Sequence, residues 1–364
     1  QALAANLTNR IRWQSHWHVV RQSWNFFQND FAGRIATRVM QTGPAIRQSI
    51  VSMITSVWYI LVYGTSAVLL LGSADRPMIV IGGGAMAAGE HVKAIAEMLD
   101  APVMVGRMGQ GVLDGRHRLS VTMPAGYRFW GEADVVLAVG TRLQAALQNW
   151  GVDDGLKIIR IDIDGEEIER QRKPEIGIIG DAAACLKVLA GKLGAHNKKR
   201  HGRAEAVAET KAAATKRIRD TIGPQIAYLE AIRAALPEDG ILVDELTQMG
   251  YAARLAYPTY KPRTFLSMGY QGTLGWGYAT SLGVKVAKPD TPVVSISGDG
   301  GFLFTAMEMS TAAKNGIGVV AVVFSDGAYG NVRRIQRNVY GRTLPKADRK
   351  STRLNSSHVA LSRM

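Results

Sequence analysis

Two aspartates, Asp299 and Asp326, each stand in a glycine turn that closes a short apolar run. The stretch that holds them, Val293–Val332, reads VVSISGDGGFLFTAMEMSTAAKNGIGVVAVVFSDGAYGNV. Val293–Ser297 predicts a buried strand, Gly298–Gly301 a turn carrying one carboxylate, and a helix follows. A second strand, Val319–Phe324, leads to Asp326. Two parallel strands joined by a helix form a right-handed unit that binds its ligand beyond the strands' carboxyl ends. That places both carboxylates at one edge. Backbone N–H groups at Gly298–Gly301, beside a helix N-terminus, suit a phosphate. Two carboxylates beside a phosphate suit Mg²⁺, which combines carboxylate and phosphate oxygens. The predicted chemistry is a Mg²⁺–diphosphate site. A lone Gly-Asp-Gly would fit an ordinary βαβ turn equally well; the full spacing and an upstream glycine motif separate the two readings.

The elements that must position these groups read as α/β: two open parallel-sheet α/β domains preceded by a helical, partly transmembrane segment. Met78–Ile81, Val103–Val105, Val135–Val139 and Ile158–Ile163 predict strands, with helices to about Leu99 and from Ala183 to Leu193. This gives a central domain over residues 76–193. Gly82-Gly83-Gly84-Ala85 opens its first helix and raises a dinucleotide-binding alternative, although GGGAMAAG is not GxGxxG. Residues 194–222 predict a solvated, partly helical linker, whose Lys198-Lys199-Arg200 cluster needs no partner. A second domain, residues 223–347, starts near Pro224, which suits the first turn of a helix. Ile241–Asp244 is its first strand, and Met268–Gly277 (MGYQGTLGWG) is a second glycine-rich turn opening a helix. Asp162 and Asp164 read as turn chemistry, Glu308 as a helix anchor, and His91 and His117 as isolated, solvent-facing side chains.

A GDG, a helix of the type xxExxTA, and an apolar strand ending in a polar pair and a Tyr-Gly together resemble the thiamine-diphosphate enzymes, nearest to their acetolactate synthase-like branch. That family ends the motif in Asn-Asn; Ser325-Asp326 stands here, and an aspartate can still ligate Mg²⁺. The resemblance implies that Asp299 and Asp326 bind Mg²⁺ by side chain and Ala328 by its carbonyl. Gly300 and Gly301 would offer N–H groups to the diphosphate, Thr247 and Gln248 would face it, and Tyr329 and Gly330 would close its other side. By the same resemblance the Gly272 carbonyl accepts from the 4′-amino group of the pyrimidine, and Leu274 wedges beneath the bent cofactor. Plain core packing is the rival reading of Leu274. Val332 stands where some pyruvate decarboxylase relatives place a glutamate.

The implied cofactors are thiamine diphosphate and Mg²⁺, with FAD in the central domain as a minor alternative carried by RPMIVIGGGA. The implied activity is decarboxylation or carboligation of a 2-oxo acid by a cytoplasmic homo-oligomer, dimer or tetramer. The family's activating glutamate lies in an N-terminal pyrimidine-binding domain supplied by the partner subunit. No catalytic residue is therefore assigned here, and the chain is expected to be inactive alone.

Residues 1–75 carry a different signal. Ile50–Leu71 is mostly apolar and uncharged, long enough to span a bilayer, and Arg34, Arg38 and Arg47 would set its N-terminal side in the cytoplasm. Residues 46–74 are thus expected to be membrane-inserted. Trp24–Val39 resembles the coupling helix of ABC exporter membrane domains, which makes an exporter fragment the alternative function; no GxxxxGK[ST] accompanies it. At the other end, Asp348 begins DRKSTRLNSSH, which resembles the translation of a common sequencing adapter. Residues 348–364 are expected to be non-biological and the whole to be a chimeric fragment. The net charge of +14 is concentrated in residues 1–75, 191–220 and 348–364, away from the predicted site, which argues against nucleic-acid binding. The single cysteine, Cys185, excludes a disulfide framework and a cysteine-based zinc site.

Overall fold

The computed structural model describes residues 2–28, 32–200, 202–269 and 271–341. The chain divides into two compact units, Gln1–Ser66 and the remainder from Ala67. Helices α1 (Ala2–Val20), α2 (Trp24–Gln28) and most of α3 (Ala32–Ser73) make up the first unit. There α1 and α3 approach closely at Gly43, where a Cβ would stand 3.1 Å from the Thr8 carbonyl oxygen.

The expectation of a membrane span at residues 46–74 is corrected: among the described residues no helix is long and apolar enough to cross a membrane. Serine, threonine, glycine and tyrosine dilute the run from Ile50 to Ser66. Its most apolar end has another use, since Ala67, Val68, Leu71 and Ala74 are buried in the core of the following sheet domain. Arg200 caps that end of α3, donating to the carbonyl oxygens of Leu71, Gly72 and Ala74. A cation on the last carbonyls of a helix is favourable on dipole grounds as well. Lys198 pairs with Asp75, so Lys198 and Arg200 of the basic cluster both hold structure.

The first sheet comprises β1 (Pro77–Ile81), β2 (Val103–Val105), β3 (Ser120–Val121), β4 (Val135–Val139), β5 (Lys157–Asp162) and β6 (Ile176–Ile179). Its order is β3-β2-β1-β4-β5-β6, and every pairing is parallel. Helices α4 (Gly89–Leu99), α5 (Met123–Glu132), α6 (Gly165–Glu169) and α7 (Ala182–Leu193) alternate with the strands. β1 and β4 are buried at every position, as covered parallel strands must be. Asp164 caps α6 by accepting from the Glu166 amide, and Asp162 accepts from the Asp164 amide. His117 departs from the isolated, solvent-facing expectation: its Nε2 lies 3.1 Å from Glu97 Oε1, and its Nδ1 accepts from the Leu119 amide.

The expected solvated linker is largely helix. α8 (Arg203–Ala235) runs through it, broken only at Ile222, whose φ of −134° is not helical. Pro224 lies just past that break, where its missing N–H costs least. Val207, Thr210 and Ala214 are buried against the first sheet domain, and Ile226 and Leu229 are buried against the second. The second sheet comprises β7 (Ile241–Val243), β8 (Phe265–Leu266), β9 (Val293–Gly298) and β10 (Val320–Phe324), in the order β10-β9-β7-β8 with all strands parallel. Helices α9 (Gln248–Ala256), α10 (Trp276–Ala287), α11 (Asp299–Leu303), α12 (Glu308–Asn315) and α13 (Gly330–Tyr340) complete it. The single helix expected after Asp299 is thus two. The adapter-like tail, residues 348–364, lies outside the described residues.

Candidate functional site

In the second sheet the chain starts at β7, adds β8 on one side, then crosses to β9 and β10 on the other. The reversal opens a crevice between β7 and β9 beyond their carboxyl ends, which is where open α/β sheets bind ligands. Register fixes what lines it. Val243 pairs with Ser295, and Gly298 pairs with Phe324, so the segments after β7, β9 and β10 emerge at one edge. Asp299 and Asp326 therefore flank the same end of adjacent strands. Asp299 Oδ1 accepts from the Gly300 amide at 2.8 Å, and its Oδ2 accepts from Ser325 Oγ at 2.9 Å. Asp326 Oδ1 accepts from the amide of Ala328, a buried residue, at 3.1 Å. Gly330 lies close against Asp326: a Cβ there would stand 2.2 Å from Asp326 Oδ2, so the carboxylate would have to move. A Cβ at Gly300 would meet nothing within 4 Å, so the turn faces open space at that point.

Thr247 is the N-cap residue of α9, with no side-chain hydrogen bond to the helix. Beside it, Gln248 Nε2 is buried and has no hydrogen-bond partner. An amide donor left so at a helix N-terminus is costly unless a ligand acceptor reaches it. Gly272 packs against Leu246 and Met268, and Gly275 takes a φ of +86° to start α10. Leu274 is 46% exposed and belongs to no core cluster among the described residues. Tyr329, at the start of α13, and Gly330 follow Ala328 on the far side of Asp326.

Sequence reasoning passed over the residue that ties these parts together. Glu245, just after β7, is fully buried; its Oε1 accepts from the Gly275 amide at 2.7 Å and its Oε2 from the Gly277 amide at 3.1 Å. Ser297 Oγ donates to Oε2 at 3.4 Å, and a Cβ at Gly301 would touch the same carboxyl group. One side chain thus holds both glycine turns and the end of β9. Burial pushes its pKa up despite these donors. The available signal was an acid directly after an apolar strand, in Asp244-Glu245. Asp244 is buried too and is pushed up by desolvation, although Arg254 Nε donates to it at 2.6 Å and Ser267 Oγ at 3.0 Å. Arg107, from the first sheet domain, donates to the Gly269 carbonyl at 2.9 Å and steadies the approach to the second glycine turn.

The first sheet also reverses, between β1 and β4, but its crevice holds protein. A Cβ at Gly82 would stand 2.4 Å from the Gly140 carbonyl oxygen, and one at Gly84 would stand 2.7 Å from Gly140 Cα. The glycines of the Gly82–Ala85 turn are required by this backbone contact, so their presence does not by itself point to a nucleotide.

Among the described residues no three His, Cys, Asp or Glu side chains form a metal cluster. Two carboxylates with a carbonyl leave positions that diphosphate oxygens would have to fill, which is how Mg²⁺ is commonly held. The buried Gln248 donor, the open side of Gly300 and the paired carboxylates all fit such a ligand.

Fold and crevice together define a two-sheet, doubly wound α/β protein with an acidic, glycine-lined carboxyl edge. Residues 65–189 match the family model described as thiamine pyrophosphate enzyme, central domain, and residues 246–363 match the thiamine pyrophosphate enzyme C-terminal TPP binding domain. The chain carries these two domains of the thiamine pyrophosphate enzymes, and they imply thiamine diphosphate, usually with Mg²⁺, as cofactor. It is 34% identical over 274 residues to a probable 2-ketoarginine decarboxylase of Pseudomonas aeruginosa, covering 72% of this chain and 48% of that protein. It is 34% identical over 298 residues to a 2-hydroxyacyl-CoA lyase of Arabidopsis thaliana (76% and 50%) and 30% identical over 294 residues to an acetolactate synthase of Arthrospira platensis (75% and 50%). The chain spans about half the length of the curated relatives it matches. The exporter-like reading of residues 1–75 finds no support in the fold or in these matches, and the C-terminal match runs through most of the adapter-like tail.

Proposed function

We propose that this chain holds the diphosphate end of thiamine diphosphate for an acetolactate synthase-like enzyme that decarboxylates or carboligates a 2-oxo acid. The observation that supports the reading is the β9–β10 register, by which Asp299 and Asp326 follow the same end of adjacent strands, with β9 also one wall of the reversal. In this reading the two carboxylates and the Ala328 carbonyl hold Mg²⁺. Gly300 and Gly301 amides, Thr247 and Gln248 bind the diphosphate, with Tyr329 and Gly330 on its other side. Gly272 and Leu274 position the pyrimidine half, and an exposed apolar side chain at 274 is what a wedge against a ligand requires. When bound, the cofactor supplies the carbanion chemistry; the protein binds, orients and excludes water. Glu245 keeps the two glycine turns in register. The assembly is a cytoplasmic homo-oligomer, dimer or tetramer.

The test is calorimetric titration of the full chain with thiamine diphosphate and Mg²⁺. The unmodified chain is expected to bind saturably and only with Mg²⁺ present. Asp299→Asn is expected to weaken binding by about 100-fold, the upper end of what ligand-shell changes produce, with an unchanged thermal melt. Equal binding by the variant, or binding indifferent to Mg²⁺, would refute the assignment.

A further inference from the structure

Away from that crevice, a cavity of about 310 Å³ lies where the first sheet domain, α8 and the segment after α9 meet. This is within the size range of small-ligand sites. Its wall along α8 is formed by Lys211, Ala214, Thr215 and Ile218, and, past the break at Ile222, by Ile226 and Leu229. The first four recur at intervals of three and four and so share one helix face. One end is therefore cationic and hydroxylic and the other aliphatic. Lys211 and Ile218 stand about 10 Å apart at 1.5 Å of rise per residue.

The charges of the lining decide what the cavity accepts. Arg116 is engaged by Asp114 and Glu238, and Arg219 by Glu230. Among the described residues no carboxylate lies within ion-pair distance of Lys211; its Nζ donates to the Gly115 carbonyl at 3.1 Å, which uses one of three protons. Burial lowers its pKa, only partly offset by the more distant Asp114. One half-buried ammonium with no direct ion pair, on the same helix face as Thr215, calls for one negative charge. A phosphate dianion would lack a second available cation, and an amine would face Lys211 with like charge.

We propose that this cavity binds a small amphipathic monocarboxylate, its carboxylate on Lys211 and Thr215 and its hydrocarbon body against Ile218, Ile226 and Leu229. Because α8 packs on both sheet domains through this face, the ligand would bridge them and stiffen their junction. The inference does not depend on the thiamine reading and is tested without thiamine diphosphate.

The probe is hexanoate, titrated calorimetrically into the full chain, with hexylamine and 1-hexanol as matched controls. Saturable hexanoate binding is expected, at least tenfold tighter than either control, with a rise in melting temperature. Lys211→Met is expected to lose at least tenfold in hexanoate affinity, and Ile218→Trp, which fills the aliphatic end while leaving the ammonium, to abolish it. Absence of saturable binding, hexanol binding as tightly as hexanoate, or hexanoate affinity unchanged in a folded Lys211→Met chain would overturn the proposal. Should the variants fail to fold, the ranking of the three probes on the unmodified chain decides.

Discussion

The two sheets of this chain share an architecture and differ at their carboxyl edges. Each is parallel, and each reverses direction once, between β1 and β4 in the first and between β7 and β9 in the second. At the first reversal, backbone meets backbone: Gly84 and Gly140 approach so closely that neither tolerates a Cβ. At the second, the backbone leaves space at Gly300, and two carboxylates and a buried amide donor, Gln248 Nε2, stand at the same carboxyl edge. A glycine turn at a reversal is therefore ambiguous in itself. What distinguishes a packing turn from a binding turn is whether the missing Cβ is replaced by protein or by space.

Substituting alanine for glycine at both edges is the direct way to break that comparison. Gly140→Ala should be the most damaging. Its φ is +53°, and the added Cβ would lie 2.5 Å from Gly84 Cα. Overpacking and a left-handed non-glycine residue together cost about 3 kcal/mol, readable as a lowered midpoint in urea. Gly300→Ala should leave the midpoint unchanged within about 0.5 kcal/mol yet weaken thiamine diphosphate binding. If the two variants lose stability equally, the contrast between the edges fails.

Glu245 sharpens the comparison through pH. Its pKa is raised in the folded chain, so the folded state holds this proton more tightly than the unfolded chain does. The stability that the proton confers is fully present below the ordinary value of 4.5 and is lost as pH rises through the shifted value. Glu245→Gln cannot titrate. Its deficit relative to the unmodified chain, about 1–2 kcal/mol near pH 4.5 for disturbed buried hydrogen bonds, should shrink as pH is raised to 8. Denaturation curves across that range check it; a gap that widens with pH would reverse the sign. A small effect on stability is also expected at Leu274→Ala. A side chain already 46% exposed should cost under about 1 kcal/mol of stability, whereas a core leucine costs about 2–5 kcal/mol.

Much of this was legible in the sequence, for reasons that differ by region. Apolar runs such as Pro77–Ile81 and Val135–Val139 announce buried parallel strands because both faces are covered. β3 and β8, each two residues long, carry too little pattern to be seen. Asp299 and Asp326 were visible through the glycines around them. Glu245 was not, because its partners are backbone amides at Gly275 and Gly277, and backbone groups leave no mark on composition. The apolar run ending at Leu71 misled: hydropathy reports that a segment avoids water but not whether lipid or a sheet excludes it. Here Ala67, Val68 and Leu71 go to a sheet. The linker misled in the opposite direction, because the alanine-rich stretch hides a narrow buried face at Val207, Thr210 and Ala214.

The pair of donors on Asp299 has a corollary. Its two oxygens rest against the Gly300 amide and the Ser325 hydroxyl, so the turn keeps its shape on internal contacts. In the proposed reading, a cation on Asp299 would share that carboxylate with the Ser325 hydroxyl. Ser325→Ala would then free one oxygen of Asp299 while leaving the turn held by the Gly300 amide alone.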